Sequence, residues 1–379
     1  MIRILHFAET INRYDFIDSV LTGLDRGKFE IASLTVMAPQ NRVGVYTAAE
    51  AHLSTCLHLE FKRKNYPRIF IDLVKEIKRF RPHVLHAHHY EESILAGLAA
   101  KLTGVPVFVV GHHYHDLIYL ATKGIKRKVV LAGERLANRF ADKIVVPTQA
   151  VVDLLIEQGE KEEKVTSIPY GTDFRMLENV TSKSSDIFRD EIGFIENIVG
   201  LTCCKLGKEK GLQYLLEAIP SVVRRFPKFR LVMAGNGPYE ENLRELVKSL
   251  DLESIVKFIG HTDHVLNWIS TSDLVIQPSL SESFCQVVTE SLALGTPIVV
   301  TPVGIAPEII INGERGGYLV PKRQTVPITE AICNIIEDLE HGKEMATKGK
   351  RYIYDHLTIE RTVNKYEELY ENLVNLKSR

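Results

Sequence analysis

The chain has 379 residues, which corresponds to two or three domains of ~100–150 residues and argues against a single small binding module. Hydrophobic residues make up 45% and charged residues 25%, as in ordinary folded proteins and unlike disordered or collagen-like chains. The formal net charge is −1, so a protein held on nucleic acid by a global positive field is also disfavoured.

The first half of the chain alternates apolar strands with helical patterns, an order that builds a parallel sheet with helices on both faces. We predict strands at 2–7, 30–36, 56–61, 83–88, 105–111, 143–147 and 165–169. They indicate a doubly wound, Rossmann-like domain over residues 1–173.

Strands resume after a polar stretch and predict a second Rossmann-like domain over residues 174–357. We place them at 197–204, 229–235, 255–260, 273–279 and 296–302, with an edge strand at 316–321. The expected fold class is therefore α/β, with two doubly wound domains facing a cleft. Ligands of such sheets bind beyond the carboxyl ends of the strands.

The tail from Thr358 carries apolar residues three or four apart, which predicts an amphipathic helix over 358–379 that packs back on the first domain. These residues are Ile359, Val363, Tyr366, Leu369, Leu373 and Leu376.

The segment PSLSESFCQVVTESLALGTPIVVTP (278–302) predicts a strand end, a loop, a helix and another strand. Glu282 lies in the loop and Glu290 about two helical turns later, so both carboxylates can line one wall of a cleft. Carboxylates accept hydrogen bonds from vicinal hydroxyls, and unpaired amides at a helix start suit a diphosphate. The spacing alone is more typical of two ordinary solvated glutamates at a helix flank.

This segment resembles the signature of family 4 retaining glycosyltransferases, which have the GT-B architecture. The resemblance extends to VGLTCCKLGKEKGLQYLLEAI (199–219), to the Gly-x-Gly-Pro turn in MAGNGP (233–238) and to IPYGTD (168–173). Together these motifs cover most of residues 168–320.

The resemblance implies a role for each matched position. Glu290 would hydrogen-bond the ribose of a nucleotide-sugar donor, and Glu282 would lie near the donor sugar. Lys205 and Lys210 would neutralise the diphosphate as it leaves, because developing negative charge needs cations already in place. The other donor-binding positions would be Phe284, Cys285, Gln286, Val287, Gly235 and Asn236.

Three positions depart from the family pattern, which usually has Arg at Lys205, Gly at Cys285 and Asn at Tyr170. Lysine supplies charge without the bidentate fork of arginine. A cysteine at 285 is unfavourable if that position needs a positive φ.

Ten of the fourteen histidines precede Asp173, and seven lie between His83 and His115. The family places a histidine beside the donor sugar, and here His112 matches best, with His113 one position away. The resemblance implies that His112 steers the acceptor or stabilises the transition state.

The same histidines allow two other interpretations. His86, His88, His112 and His115 are a possible metal set, which would make the protein a metallohydrolase. Most of them can equally be loop residues or hydrogen-bonded core residues.

The chain has no Asp-x-Asp motif to bridge a divalent ion and a diphosphate, so we expect a metal-free donor site and no cofactor besides the substrate. Where the family often has a Gly-rich loop, this chain has FAETINRYDF (7–16). Glu9, Arg13 and His113 are therefore only weak candidates for the acceptor side.

Residues 61–139 contain 15 Lys plus Arg against 6 Asp plus Glu, concentrated in 61–81 and 123–139. Basic helices with interspersed apolar residues suit an anionic membrane surface, although a solvated basic face is equally consistent. No nucleic-acid motif accompanies them.

We therefore predict a retaining, metal-independent glycosyltransferase that moves a sugar from a UDP- or GDP-sugar to a glycan, a lipid-linked or a small-molecule acceptor. Five cysteines without CxxC spacing, and no signal peptide or ~18-residue apolar span, predict a cytoplasmic protein, with peripheral contact to the inner face of the membrane left open. The alternatives are a nucleotide-sugar epimerase on the same fold and the metallohydrolase.

Overall fold

Apolar runs alternate with helical patterns along the chain, and in the computed structural model each series forms its own parallel sheet. The structure describes residues 1–9, 11, 16–36, 53–113, 124–177, 180 and 185–378. The chain divides into unit 1, Met1–Gly171 with Ile359–Arg379, and unit 2, Thr172–Thr358. The predicted α/β class with two parallel sheets is confirmed.

The sheet of unit 1 has the strand order β3-β2-β1-β4-β5-β6-β7, and all neighbouring strands are parallel. Its strands are β1 (Ile2–Ala8), β2 (Phe29–Val36), β3 (Leu53–Leu57), β4 (Val84–His88), β5 (Val107–Gly111), β6 (Lys143–Val146) and β7 (Val165–Ser167). The helices before the unit boundary are α1 (Phe16–Gly23), α2 (Tyr66–Phe80), α3 (Tyr90–Thr103), α4 (Gly124–Phe140) and α5 (Gln149–Glu157).

The sheet of unit 2 has the order β10-β9-β8-β11-β12-β13, which places the predicted edge strand at the edge. Its strands are β8 (Ile198–Cys203), β9 (Phe229–Ala234), β10 (Val256–Gly260), β11 (Leu274–Gln277), β12 (Ile298–Val300) and β13 (Gly317–Leu319). Its helices are α6 (Ser185–Glu191), α7 (Leu212–Arg225), α8 (Glu240–Ser249), α9 (Val265–Thr271), α10 (Gln286–Ala293), α11 (Ala306–Ile309), α12 (Thr325–Glu337) and α13 (Leu339–His356).

The last helix, α14 (Ile359–Lys377), belongs to unit 1 and packs against α1. Its buried face contains Val363, Tyr366 and Tyr370, whereas Leu376, predicted to be part of the stripe, is 67% exposed. The real stripe runs through Tyr370 because the large ring reaches the sheet, where it packs among the strands of unit 1.

The third strand is displaced from its predicted position at 56–61. Pairing with β2 ends at Leu57, because the Leu59 amide donates to the Leu57 carbonyl and turns the backbone away. Leu59 and Phe61 still pack against the core, so the alternating pattern continues after the strand has ended.

Alternation along the strands of unit 1 separates two apolar layers. Leu5 and Phe7 of β1 pack with α2 and α3 on one face, whereas Ile4 packs with α1 and α14 on the other. Each such fully buried side chain contributes about 1.5–3 kcal/mol of hydrophobic stabilisation. The same alternation determines which face each strand histidine occupies.

Among the helices of the described residues, none combines the length and apolar character needed to cross a bilayer.

Candidate functional sites

The first candidate site lies at the carboxyl ends of β8 and β11, which are neighbours at the centre of the unit 2 sheet. The strand order reverses here, from β9 and β10 on one side to β12 and β13 on the other. Loops that leave such a reversal point diverge and form the ligand crevice of open parallel sheets. The loop after β8 carries Lys205 and Lys210, and the loop after β11 carries Glu282.

Lys210 and Glu282 form an ion pair between these two loops. Lys210 Nζ lies 2.6 Å from Glu282 Oε1, and the side chains are only 15% and 14% exposed. The Ser279 hydroxyl also donates to Glu282 Oε1 at 2.8 Å and accepts from Gln277 Nε2 at 2.8 Å. Burial acts to lower the pKa of Lys210, but the Glu282 carboxylate outweighs it and the pKa is raised. The ammonium group is therefore charged and fixed in position.

Glu290 lies on α10, which begins directly after this loop. Desolvation by burial raises the pKa of the Glu290 carboxyl to about 7, and a hydrogen bond from Gln286 opposes part of that shift. The carboxyl is therefore about half ionised at neutral pH, which leaves it able both to accept and to donate hydrogen bonds to hydroxyl groups.

Cys285 is the N-cap of α10 and has φ of 68°, in the left-handed region. This conformation costs a residue with a side chain roughly 1–2 kcal/mol, and it is the position at which the resembled family has glycine. Cysteine therefore replaces the glycine of the family pattern at a position where the backbone has a positive φ. Helix α10 nevertheless begins at Gln286, directly after this residue. The first amides of a helix have no carbonyl partner within the helix.

The turn at Gly235 and Asn236 is clamped against the loop that carries Lys205. Gly235 has φ of 126°, and a Cβ there would stand 1.9 Å from the Cys204 carbonyl oxygen. The Leu206 amide donates to the Asn236 carbonyl at 2.9 Å. Lys205 is exposed between these two contacts. The turn thus sets the path of the basic loop by direct backbone contact.

The predicted donor residues of unit 2 thus fall on three adjacent loops and one helix start. Lys210 and Glu282 are in direct contact. Phe284, Cys285 and Val287 are buried, and Gln286 is exposed. The arrangement offers fixed positive charge, the amides of a helix start and an ionisable carboxyl, a chemistry that suits a nucleoside diphosphate.

A second cluster lies in unit 1, on the sheet face that carries α14. His6 on β1 is directly opposite His86 on β4, and His88 is opposite Gly111 on β5. Because strand side chains alternate, His6, His86 and His88 share one face. All three are buried, at 1%, 0% and 2% exposure.

The imidazoles continue as a hydrogen-bonded chain. His6 Nδ1 lies 2.9 Å from His88 Nε2, and His88 Nδ1 lies 2.9 Å from His113 Nε2. His113 Nδ1 reaches the hydroxyl of Tyr170 at 2.6 Å. Burial, reinforced by neighbouring imidazoles, holds the pKa of His86, His88 and His113 well below the usual range. These rings are neutral at pH 7, so each offers one donor and one acceptor.

His112 contacts a glutamate instead of the hydrogen-bonded series of imidazoles. Its Nε2 lies 2.7 Å from Glu134 Oε1, with both side chains at most 3% exposed, and its amide donates to the Val145 carbonyl. The metal set predicted from His86, His88, His112 and His115 therefore differs from the observed grouping, since His6 takes the place of His112. His115 lies outside the described residues. The signal that could have found His6 is its alternation with Ile4 on a strand beside β4.

Among the residues predicted for the acceptor side, the Glu9 amide donates to Glu92 Oε1 at 3.2 Å. Burial raises the pKa of the Glu92 carboxyl to about 8, and burial together with Glu91 raises the pKa of Glu9. Glu92 was not predicted from the sequence, because a glutamate in the first turn of a helix is ordinary. Arg13 lies outside the described residues.

Two family models match the chain: "Glycosyl transferases group 1" over residues 190–352 and "Glycosyl transferase 4-like domain" over residues 21–171. N-acetyl-alpha-D-glucosaminyl L-malate synthase of Bacillus anthracis is 30% identical over 294 residues, covering 77% of this chain and 75% of that protein. D-inositol 3-phosphate glycosyltransferase of Paenarthrobacter aurescens is 26% identical over 336 residues, covering 82% and 81%. A crystal structure of Anabaena HepE with UDP-glucose superposes with a TM-score of 0.82 at 18% identity, covering 98% of this chain and 100% of that chain.

Proposed function

The chain belongs to the glycosyl transferases group 1 family, and on that premise we propose that it moves a sugar from a nucleoside diphosphate sugar to a hydroxyl acceptor with retention of anomeric configuration. The observation that carries the proposal is the partly buried Lys210–Glu282 pair beside the start of α10. UDP-glucose in the structurally similar HepE supports a uridine nucleotide as the first donor to test.

In this proposal Lys210 and Lys205 stabilise the diphosphate as its bond to the sugar breaks. A preplaced cation needs no reorganisation when charge develops, which makes such groups the largest electrostatic contribution to many transfer reactions. Glu282 holds Lys210 in place and lies beside the donor sugar. Glu290 accepts hydrogen bonds from the ribose hydroxyls.

We further propose that the reaction needs no divalent ion at the diphosphate, because the lysines supply the positive charge. Retention would follow from attack on the same face of the sugar that the diphosphate leaves, with the departing phosphate accepting the proton of the acceptor. His112 and His113 stay predictions for the region beside the sugar.

The donor site is tested by calorimetric titration of UDP, GDP and ADP into the wild type and into Glu290→Ala, with and without EDTA. We expect one nucleotide to bind selectively, EDTA to have no effect and Glu290→Ala to weaken binding at least tenfold. Absence of binding by all three nucleotides would overturn the donor site. Loss of binding in EDTA would overturn only the metal independence.

Turnover distinguishes transfer from epimerisation. The bound UDP- or GDP-sugar is incubated alone and with small hydroxylated acceptors, and the products are followed by proton NMR. An α-linked product from an α-linked donor supports retention, and conversion of the donor without an acceptor would instead indicate an epimerase.

We also propose that unit 1 contacts an anionic membrane surface through α2 and α4, which both pack against α3. Basic and apolar side chains are exposed together on these helices, including Arg68, Lys75, Ile125 and Val129. Sedimentation with phosphatidylglycerol vesicles should capture the protein at low salt and release it at high salt. Capture by neutral phosphatidylcholine vesicles to the same extent would contradict the electrostatic part of the proposal.

A further inference from the structure

The buried histidines of unit 1 have an arrangement that the transfer reaction does not use. One ring nitrogen from each of His6, His86 and His88 can be chosen so that all three lie within 4.8 Å of one another. Three neighbouring imidazoles inside a protein are the ligand type that zinc and other late transition metals favour.

The geometry of His86 leaves one nitrogen available to a ligand. Its Nδ1 is 2.7 Å from the Tyr370 hydroxyl, which fixes the ring. Its Nε2 is fully buried and has no hydrogen-bond partner among the residues that the structure describes. A buried nitrogen without a partner costs free energy, and a bound ion would satisfy it.

The other two rings present their nitrogens to each other. His6 Nδ1 and His88 Nε2 are 2.9 Å apart, whereas two ligands at ~2.0–2.1 Å in a tetrahedral zinc site lie ~3.3 Å apart. Small rotations of the rings are therefore enough to replace this hydrogen bond with two bonds to a metal.

Outer partners for two of the rings are already present. His88 Nδ1 is hydrogen-bonded to His113 Nε2, and His86 Nδ1 to Tyr370. Metal-bound histidines almost always use their second nitrogen in this way, which fixes the tautomer and the ring orientation. Gly111 leaves the room for it, because a Cβ there would stand 2.8 Å from His88 Nδ1 and 3.1 Å from His86 Nε2.

We propose that His6, His86 and His88 bind a late transition metal ion, of which Zn²⁺ is the representative, inside unit 1. The ion would join β1 to β4 and, through Tyr370, both strands to α14. Since all three ligands are buried, its role is to stabilise unit 1 rather than to act on substrate. It is independent of the donor site, which lies in unit 2.

The test uses the full chain without an affinity tag, stripped with EDTA and dialysed. Titration with ZnCl₂ or CoCl₂ alone should give one tight site and raise the melting temperature, whereas MgCl₂ should do neither. Bound Co²⁺ should show the visible absorption of nitrogen ligation without a thiolate charge-transfer band. No binding of Zn²⁺ or Co²⁺, or a thiolate band, would overturn the proposal.

Variants locate the ion. His6→Asn and His88→Asn should each weaken Co²⁺ binding at least 100-fold, while the matched control His261→Asn, a residue 75% exposed in unit 2, should bind as the wild type does. Tyr370→Phe keeps the packing of the ring and should weaken binding about tenfold with unchanged stoichiometry. If the histidine variants do not fold, Tyr370→Phe decides, and wild-type affinity in that variant would overturn the assigned site.

Discussion

Replacing Glu290 with glutamine tests the electrostatic environment of the donor site without any substrate. The pKa of Glu290 is raised from its ordinary value of 4.5 to about 7 in the folded protein. Between these pH values the folded state keeps a proton that the unfolded state has released, so stability falls as pH rises through this window. Each pH unit corresponds to about 1.4 kcal/mol, so a shift from 4.5 to about 7 gives at most about 3–4 kcal/mol.

Glutamine cannot ionise, so Glu290→Gln lacks this loss. We expect the variant and the wild type to have similar free energies of unfolding near pH 4.5. Above pH 7 the variant should be more stable by up to about 3–4 kcal/mol. Urea denaturation followed by circular dichroism at half-unit pH intervals measures both curves, and other titrating groups cancel in their difference.

The matched control is Glu253→Gln, because Glu253 is a solvent-exposed glutamate of the same unit. That variant should follow the wild type at every pH. Parallel curves for Glu290→Gln and the wild type would refute the argument that burial of the Glu290 carboxyl raises its pKa.

Three further changes test the geometry of unit 2. Lys210→Met leaves the partly buried Glu282 carboxylate without its cation. We expect the free energy of unfolding in urea to fall by up to about 3 kcal/mol and transfer to be at least a hundredfold slower. Wild-type stability would contradict energetic coupling between the two side chains. Gly235→Ala should abolish folding, since its Cβ would stand 1.9 Å from a carbonyl oxygen. The control Gly193→Ala, with open space around it, should lower the free energy of unfolding by only about 1 kcal/mol. Equal melting temperatures for the two variants would contradict the clash. Cys285→Gly should retain the start of α10, because glycine adopts the observed φ of 68° without strain. Its nucleotide affinity, measured by calorimetry, should be at least that of the wild type. A large loss of affinity would mean that the Cys285 thiol contributes to nucleotide binding.

Most of the fold could be predicted because its signals are local. Of the thirteen strands in the described part of the chain, apolar runs and turn residues placed twelve within a few residues of their observed bounds, and β3 was displaced. It was misplaced because Leu59 and Phe61 pack against the core, partly buried, without pairing as a strand, and hydrophobic periodicity does not distinguish packed residues from paired ones.

The donor segment could also be predicted from residue types, since the loop, the helix start and both carboxylates follow one another along the chain. The hydrogen-bond partners of the histidines could not be predicted in this way. His112 contacts Glu134 22 positions later, and His86 contacts Tyr370 284 positions later. No short pattern encodes such pairs.

The sequence by itself determined the alternation of strands and helices, the family and the loops that carry charge, because each depends on neighbours a few positions apart. The tertiary structure decided which side chains meet and in what charge state. Strand order placed β1 beside β4 and brought His6 to His86, and burial moved the pKa of Glu290 to about 7. Both effects depend on the order of strands in the sheet and on desolvation, which exist only once the chain has folded.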